Sequence, residues 1–387
     1  MSFTAIAGMN TRANVLDARV PVDMSNLLVW LNPSANPFLT MTSKLKKTPA
    51  KEVTVKWLDL DDMPKYVQAE GAAQQTGVQT LTIANWALLR LGHILINDRT
   101  GEVIRVQASP TTSTVSVYRT FGTTGGTVEA TDRLIISGSA EEEGADAPPS
   151  RTIRDNEGYN SVQLFKHTVN ISGTMDSVST YGEKLLATER KRQMLEHKKA
   201  LERAMCFGEI SSGKTGADGK PVRTMRGAFG PGGFIASNRY DMSGGYTEDD
   251  FSAYAQEIFD AGDGSDVKWA FGGRTALAGV DSFAKTRLHV IHPSKDKGKI
   301  NYGISIARYR LPNGELDLIH AKDWTTPERS RMLGVVDPKF LKMRPLRDTR
   351  MDQDQGVGTV DAVVDVILTE TSMEFRQEKM HGVFFGM

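Results

Sequence analysis

Between Thr180 and Met205 the chain runs TYGEKLLATERKRQMLEHKKALERAM, strong helix formers with no proline and no glycine after Gly182. Roughly 25 residues at about 1.5 Å of rise each predict a helical rod about 40 Å long. Leu186, Met194, Leu195, Leu201 and Met205 supply an incomplete apolar stripe, while the middle turns carry the charged run ERKR. Such a helix packs along part of one face and is otherwise wet or partnered. The rest of the chain differs in character: 36 glycines and 7% aromatics among 387 residues favour turns and sheet over a helical bundle. The expectation is an α+β chain of two or three domains.

Residues 1–50 contain VDMSNLLVWLNPSANPFLTMTSKLKK, with one short apolar cluster, Leu27 to Leu31, before Pro33 and Pro37 break it. Too little here is periodic to make a core, so an arm lying on something else is expected. In KEVTVKWLDLDDMP, Val53, Val55 and Trp57 alternate with Thr54 and Lys56, the pattern of a half-exposed strand. A matching strand comes only a hundred residues later, in YNSVQLFKHTVNISGT. The intervening runs QTLTIANWALLRLGHILIND, GEVIRVQAS, STVSVYRTFG and ATDRLIISGSA read as short strands with turn signals about every ten residues, a small barrel or sandwich. Its exit, EEEGADAPPS, is an acidic, proline-containing linker.

After the rod and a glycine-rich loop, residues 224–340 read as α/β. Thr247 caps a helix with Phe251, Tyr254, Ile258 and Phe259 on one face, and GRTALAGVDSFAKT is a second helix. GISIARYRL, GELDLIHAK and RMLGVVD are strand candidates. The closing GTVDAVVDVILTETSMEFRQEKMHGVFFG reads as two apolar strands joined by a polar bend.

Lys+Arg and Asp+Glu are both 47, so no global field steers the chain to nucleic acid or membrane. The lone cysteine, Cys206, rules out an internal disulfide framework and reads as a small buried hydrophobe. No apolar run approaches a membrane span, and MSFTAIAGMNTRANVLD lacks a signal pattern, so synthesis in the cytoplasm is expected.

GEISSGKT, Gly208 to Thr215, fits the phosphate-cradling consensus G-x-x-x-x-G-K-[ST]. That loop must leave a strand and open a helix. Here a helix precedes it, and GADGKPVR comes after it and cannot open one. The preferred reading is a helix ended by Gly208 in the left-handed cap position, then a mobile loop. His289 and His292 lack a third metal ligand nearby, and Asp59 to Asp62 reads as a solvated turn. Asn170 is a glycosylation acceptor only in a secretory protein. No catalytic constellation, cofactor site or metal site is assembled. Two basic clusters remain: Lys44, Lys46 and Lys47, and Arg329 through Arg350 with Lys339, Lys342, Arg344 and Arg347. They read as a solvated face or as a surface meeting anions or acidic neighbours, such as AEEEGADA of another copy.

An arm, a long excursion, a rod helix, an α/β lobe and returning strands, in that order, resemble the major capsid protein of tailed bacteriophages, the Hong Kong 97 fold. The most similar stretches are LLVWLNPSANPFLTMTSKLKK running into VTVKWLDLDDMP, and VQLFKHTVNISGTMDSVSTYG running into the rod. The resemblance implies an N-arm at 1–50, an extended E-loop at 51–71 and 149–175, a peripheral domain at 176–223 and 341–387, and an axial domain at 224–340. The inserted β-domain at 72–148 departs from the minimal fold and reads as an outer decoration or a clamp on neighbours.

An arm and an excursion that cannot bury their own apolar residues need neighbouring subunits. The expected inter-subunit contacts are Leu27, Leu28, Trp30, Leu31 and Phe38 in the arm, Lys44, Lys46 and Lys47 after it, and Trp57 and Phe165 at the excursion's base. The resemblance implies hexamers and pentamers of an icosahedral phage head around double-stranded DNA, a virion component without enzymatic activity, cofactor or membrane. Implied partners are other copies, portal and scaffolding proteins, a decoration protein and non-specifically packaged DNA. Rival readings are a β-rich phage tail or adhesion protein, and a nucleotide-binding enzyme through the GKT match.

Overall fold

The computed structural model describes residues 36–60, 63–71, 74–75, 77, 79–122, 125–144, 146, 155–178, 184–287, 306–353 and 361–387. Leu27, Leu28, Trp30, Leu31, Asp61, Asp62, His289 and His292 lie outside them. The chain divides into two compact units: Leu60–Asn156, and Met1–Asp59 with Glu157–Met387.

The first described helix, α1 (Pro37–Thr42), begins where the sequence predicts a break. Proline is tolerated at a helix's first position, where its missing N–H has no partner to lose, so Pro37 opens this helix instead of interrupting one. Strand β1 (Thr54–Asp59) buries Val55 and Trp57 and turns Lys56 and Leu58 outward.

The Leu60–Asn156 unit holds β2 (Tyr66–Gln68), β3 (Thr80–Thr82), β4 (His93–Asn97), β5 (Val103–Val106), β6 (Thr114–Tyr118) and β7 (Arg133–Ser139). They form one sheet in the order β2-β7-β4-β5-β6-β3. The Ala69–Ile83 bridge joins its two edges, with Glu70 N–H donating to the Thr82 carbonyl at 2.9 Å and Ala84 N–H to the Gln68 carbonyl at 2.7 Å. Of barrel or sandwich, the arrangement is a closed barrel. Period-two alternation points Ile104, Val106, Val115 and Val117 inward with Leu81, Ile83, Leu95 and Leu134, all fully buried. Glu102 and Arg119 form a buried two-pronged ion pair, Nε to Oε1 at 2.7 Å, whose hydrogen bonds outweigh burial and hold the carboxyl below its usual range. The unit starts before residue 72 because β2 and Ala69 close the barrel, and it runs on to Asn156.

The chain leaves through β8 (Asn156–Ser161), which pairs with β1 as a two-stranded ribbon. The predicted return strand therefore divides. β9 (Gln163–Ser172) joins a different, three-stranded sheet with β17 (Leu341–Asp352) and β18 (Ala362–Phe375). After the short α2 (Gly173–Ser177) comes the rod, α3 (Leu185–Phe207), 23 residues long and about 35 Å at 1.5 Å per residue. It packs on β9 and β18, burying His197, Leu201, Glu202, Met205 and Cys206 in its C-terminal half.

Gly208 ends the rod, but not in a left-handed cap: its φ of −61° and ψ of 146° are extended. Glycine is required there for space, since a Cβ would sit 2.5 Å from the Ala204 carbonyl oxygen and 2.6 Å from that of Met225. GEISSGKT is also not a mobile loop. Ser211–Thr215 is strand β10, paired antiparallel with β11 (Pro221–Thr224) in a hairpin. No helix opens after it, so the helix N-terminus that would cradle a phosphate is missing there.

A six-stranded mixed sheet in the order β12-β19-β16-β13-β15-β14 carries the lobe. Its strands are β12 (Arg239–Asp241), β13 (Val267–Gly272), β14 (Ile306–Leu311), β15 (Gly314–His320), β16 (Leu333–Val336) and β19 (Gly382–Phe385). Helices α4 (Glu248–Asp260), α5 (Arg274–Arg287) and the short α6 (Pro327–Ser330) accompany them. Thr247 caps α4 in a reciprocal box with Asp250, and Phe251, Ala255 and Ile258 are buried. Tyr254, expected on that core face, is 39% exposed and stacks on Tyr240 at 4.4 Å.

Candidate functional site

Three joints are visible within the Met1–Asp59 and Glu157–Met387 unit. The first fixes the start of α1. Glu202 projects from α3 to the start of α1, where Oε1 accepts the Phe38 N–H at 3.0 Å and Oε2 the Leu39 N–H at 2.5 Å. These are two of the donors that a helix N-terminus leaves without intrahelical partners. Phe38 then inserts edge-on between Phe229 and Phe271, with centroids at 5.6 and 5.0 Å. At 1% exposure it fills its own subunit's core, not a neighbour's, which corrects its assignment as an inter-subunit contact.

The second joint is the base of the β1–β8 ribbon. Asn160 is fully buried and uses both ends of its amide. Nδ2 donates to the Met373 and Arg226 carbonyls at 2.8 and 3.2 Å, and Oδ1 accepts from Arg226 and Ser161 N–H. Trp57 packs beside it on Phe234 at 5.6 Å, and Phe234 stacks on Phe375. Trp57 and Phe165, 5% and 7% exposed, likewise serve their own subunit. Beyond the base, Leu58 on β1 is 60% exposed, and Leu60, which follows the strand, 75%.

The third joint holds the rod to its sheet through polar groups. Arg190 Nε donates to the buried Asp365 at 2.6 Å. His197 Nε2 meets Thr369 Oγ1 at 2.7 Å, and its Nδ1 lies 3.0 Å from Nδ1 of His167. Burial, with the neighbouring His167, pulls the His197 pKa down to about 4, so the ring is neutral near pH 7.

The two basic clusters part ways. Arg344 and Arg347 pair across the sheet with Glu374 and Glu370 at 2.5 and 2.7 Å, Arg350 pairs with Asp352, and Lys339 with Asp263. Those cations are neutralised within the subunit. Lys44, Lys46 and Lys47 are exposed side chains, and Lys44 and Lys47 line a groove of about 750 Å³ with Leu39, Leu195 and Met343. Cys206 is fully buried, its thiol pushed well above the usual range by desolvation. No cluster of three or more metal-ligating side chains occurs among the described residues.

Sequence reasoning missed Glu202 and Asn160. The first left a trace, a carboxylate sandwiched between Leu201 and Met205 on the rod's apolar side. The second left none, since its partners are backbone groups of Met373 and Arg226.

Together the elements define a shell-subunit fold: a base-anchored ribbon, a rod on a three-stranded sheet and a mixed α/β lobe. It aligns with the capsid of a native GTA particle over 98% of this chain and 99% of that one, with 10% identity and a TM-score of 0.51. The fold is that of Hong Kong 97-like capsids. The family described as SU10 major capsid protein matches residues 5–387, and the chain belongs to it. A major capsid protein of Pseudomonas phage PaMx41 is 27% identical over 221 residues, which are 56% of this chain and 52% of that protein. The chain thus spans about half the length of that curated relative.

Proposed function

We propose that the protein assembles with copies of itself, as hexamers and pentamers, into an icosahedral phage head around double-stranded DNA. The observation that carries this is family membership over residues 5–387. On this reading residues 1–50 serve as the N-arm, 51–71 and 149–175 as the E-loop, 176–223 and 341–387 as the peripheral domain, and 224–340 as the axial domain. The barrel, with its own core, is a module set into the excursion. The subunit is structural rather than enzymatic and is made in the host cytoplasm. Portal and scaffolding proteins are its partners, and a decoration protein is a further candidate.

The exposed Leu58 and Leu60 fit contacts with the next subunit, and Lys44, Lys46 and Lys47 fit acidic groups there. Zero net charge suits a container whose genome must enter and leave without tight binding. Electron microscopy of the protein expressed alone and with a scaffolding partner tests the proposal. Closed shells or capsomer rings are expected; rods, fibres or a persistent monomer overturn it.

A further inference from the structure

The helix-bearing face of the three-stranded sheet is only partly covered. The rod α3 packs over β9 and β18, while the short α1 meets the sheet at β17. Between the two helices remains the groove of about 750 Å³. Leu39 of α1, Leu195 and Leu201 of α3, and Met343 and Pro345 of β17 line it. A cleft of this size and lining is the kind that encloses a ligand or several side chains.

The chain that enters the groove says what covers it. The described residues begin at Asn36, and Asn36 and Pro37 are themselves part of the lining. Asn36 is the N-cap of α1, where an asparagine side chain ordinarily accepts the second or third amide of the helix. Those amides, of Phe38 and Leu39, go to Glu202 instead. Asn36 Oδ1 is thus displaced from the cap, and it is buried with no donor among the described residues. A buried carbonyl oxygen calls for an N–H, and the residues just upstream are the nearest source. Their character fits. Residues 20–35 hold Leu27, Leu28, Trp30 and Leu31, one acid, Asp23, and no lysine or arginine. The groove has the opposite balance, with Lys44, Lys47 and Lys198 lining it against Asp348. Leu31 is five residues from Asn36, a reach of about 17 Å when extended. Leu195 to Leu201 takes up only about 9 Å of the rod. A tether this short gives an effective concentration on the order of millimolar, above that of a second free copy.

We propose that residues 27–31 of the same chain fold back into this groove, their apolar side chains against Leu195 and Met343 and a backbone N–H on Asn36 Oδ1. The segment expected to meet neighbouring subunits then serves its own, as Phe38 does. The contact is made within one chain and does not rest on the proposed shell assembly.

The test uses the full chain carrying Leu28→Cys with Lys198→Cys, the second an exposed position in the groove lining. The one natural cysteine, Cys206, is buried and gives little background. A short bis-maleimide is expected to join the two new cysteines within one chain, read as one chain's mass plus one linker and as a linked pair of peptides. Leu28→Cys with Glu196→Cys, exposed and about 200° round the rod from Lys198, should link at least several-fold less. Hydrogen exchange of the unsubstituted chain should find the amides of residues 27–32 protected. Leu195→Glu should speed their exchange at least tenfold and leave the amides of α4 unchanged; should α4 loosen as well, the linkage result decides. Fast exchange of residues 27–32 in the unsubstituted chain, exchange indifferent to Leu195→Glu, or linkage no greater at Lys198→Cys than at Glu196→Cys overturns the proposal. Linkage between two chains assigns the groove to a second copy's segment and also overturns it. Mass tells one chain from two in free subunits and in particles alike, so the outcome stands whether or not a shell forms.

Discussion

Replacing Glu202 by glutamine separates the two forces on the arm's clasp. The carboxyl is 2% exposed and accepts one backbone N–H on each oxygen. Burial pushes its pKa from 4.5 up to about 8, against the pull of the Leu39 and Phe38 N–H groups and with a smaller push from Asp323. The folded pKa lies above the unfolded one. The stability tied to this proton is therefore fully present below pH 4.5 and is lost as pH rises toward 8. A gap of about 3.5 units at 1.36 kcal/mol per unit sets an upper limit of about 5 kcal/mol.

Glutamine does not titrate, but its amide NH2 faces a backbone donor and forfeits one hydrogen bond, about 1–2 kcal/mol. Wild type should therefore be the more stable by roughly that amount at pH 4, by about half of it at pH 5, and E202Q the more stable by about 3 kcal/mol at pH 8.5. Urea unfolding of both subunits at pH 4, 5, 7 and 8.5 reads the difference, in which other titrations cancel. A difference independent of pH, or wild type gaining as pH rises, refutes the reasoning.

Phe38→Ala should cost about 3–5 kcal/mol in the same assay, because the ring lies between two others in a closed core; a cost below about 1 would show that the arm's end does not dock there. Gly208→Ala should lower the melting temperature by several degrees, since its methyl has no room between two carbonyls, and a neutral result would refute the packing account. Burial holds the His381 ring near pKa 4, although it donates from Nε2 to the Arg376 carbonyl. Its contribution is intact above pH 6.5 and disappears as pH falls through 4, so a ring resonance titrating near 6.5 contradicts this. Lys214→Ala should change stability by less than about 0.5 kcal/mol. Calorimetry should find no ATP binding to the native chain, and binding that this substitution abolishes would revive the nucleotide reading.

The rod, the capped helix α4 and the barrel's inward positions were legible because their periods are local. Charged helix formers ran unbroken as far as Gly208, Thr247 faced Asp250 three residues on, and valines alternated in TVSVY. Pro37 misled, because proline ends one helix and starts another equally well, and only the packing of the residues after it decides between the two. Tyr254 had the right spacing, yet the smaller Ala255 took the core position and the ring stacked outside on Tyr240.

What the sequence determined by itself is thus the inventory: a rod helix, an inserted β-module, an α/β lobe, and no local setting in which GKT could hold a phosphate. What tertiary structure decided is which apolar groups are left over. Phe38, Trp57 and Phe165 read as contacts for neighbours but are consumed inside the subunit, while Leu58 and Leu60 stay exposed. Period-two patterning names two faces of a strand without saying which one a neighbour covers. Glu202 and Asn160 act across more than 160 and 210 residues of chain, where no local spacing registers them.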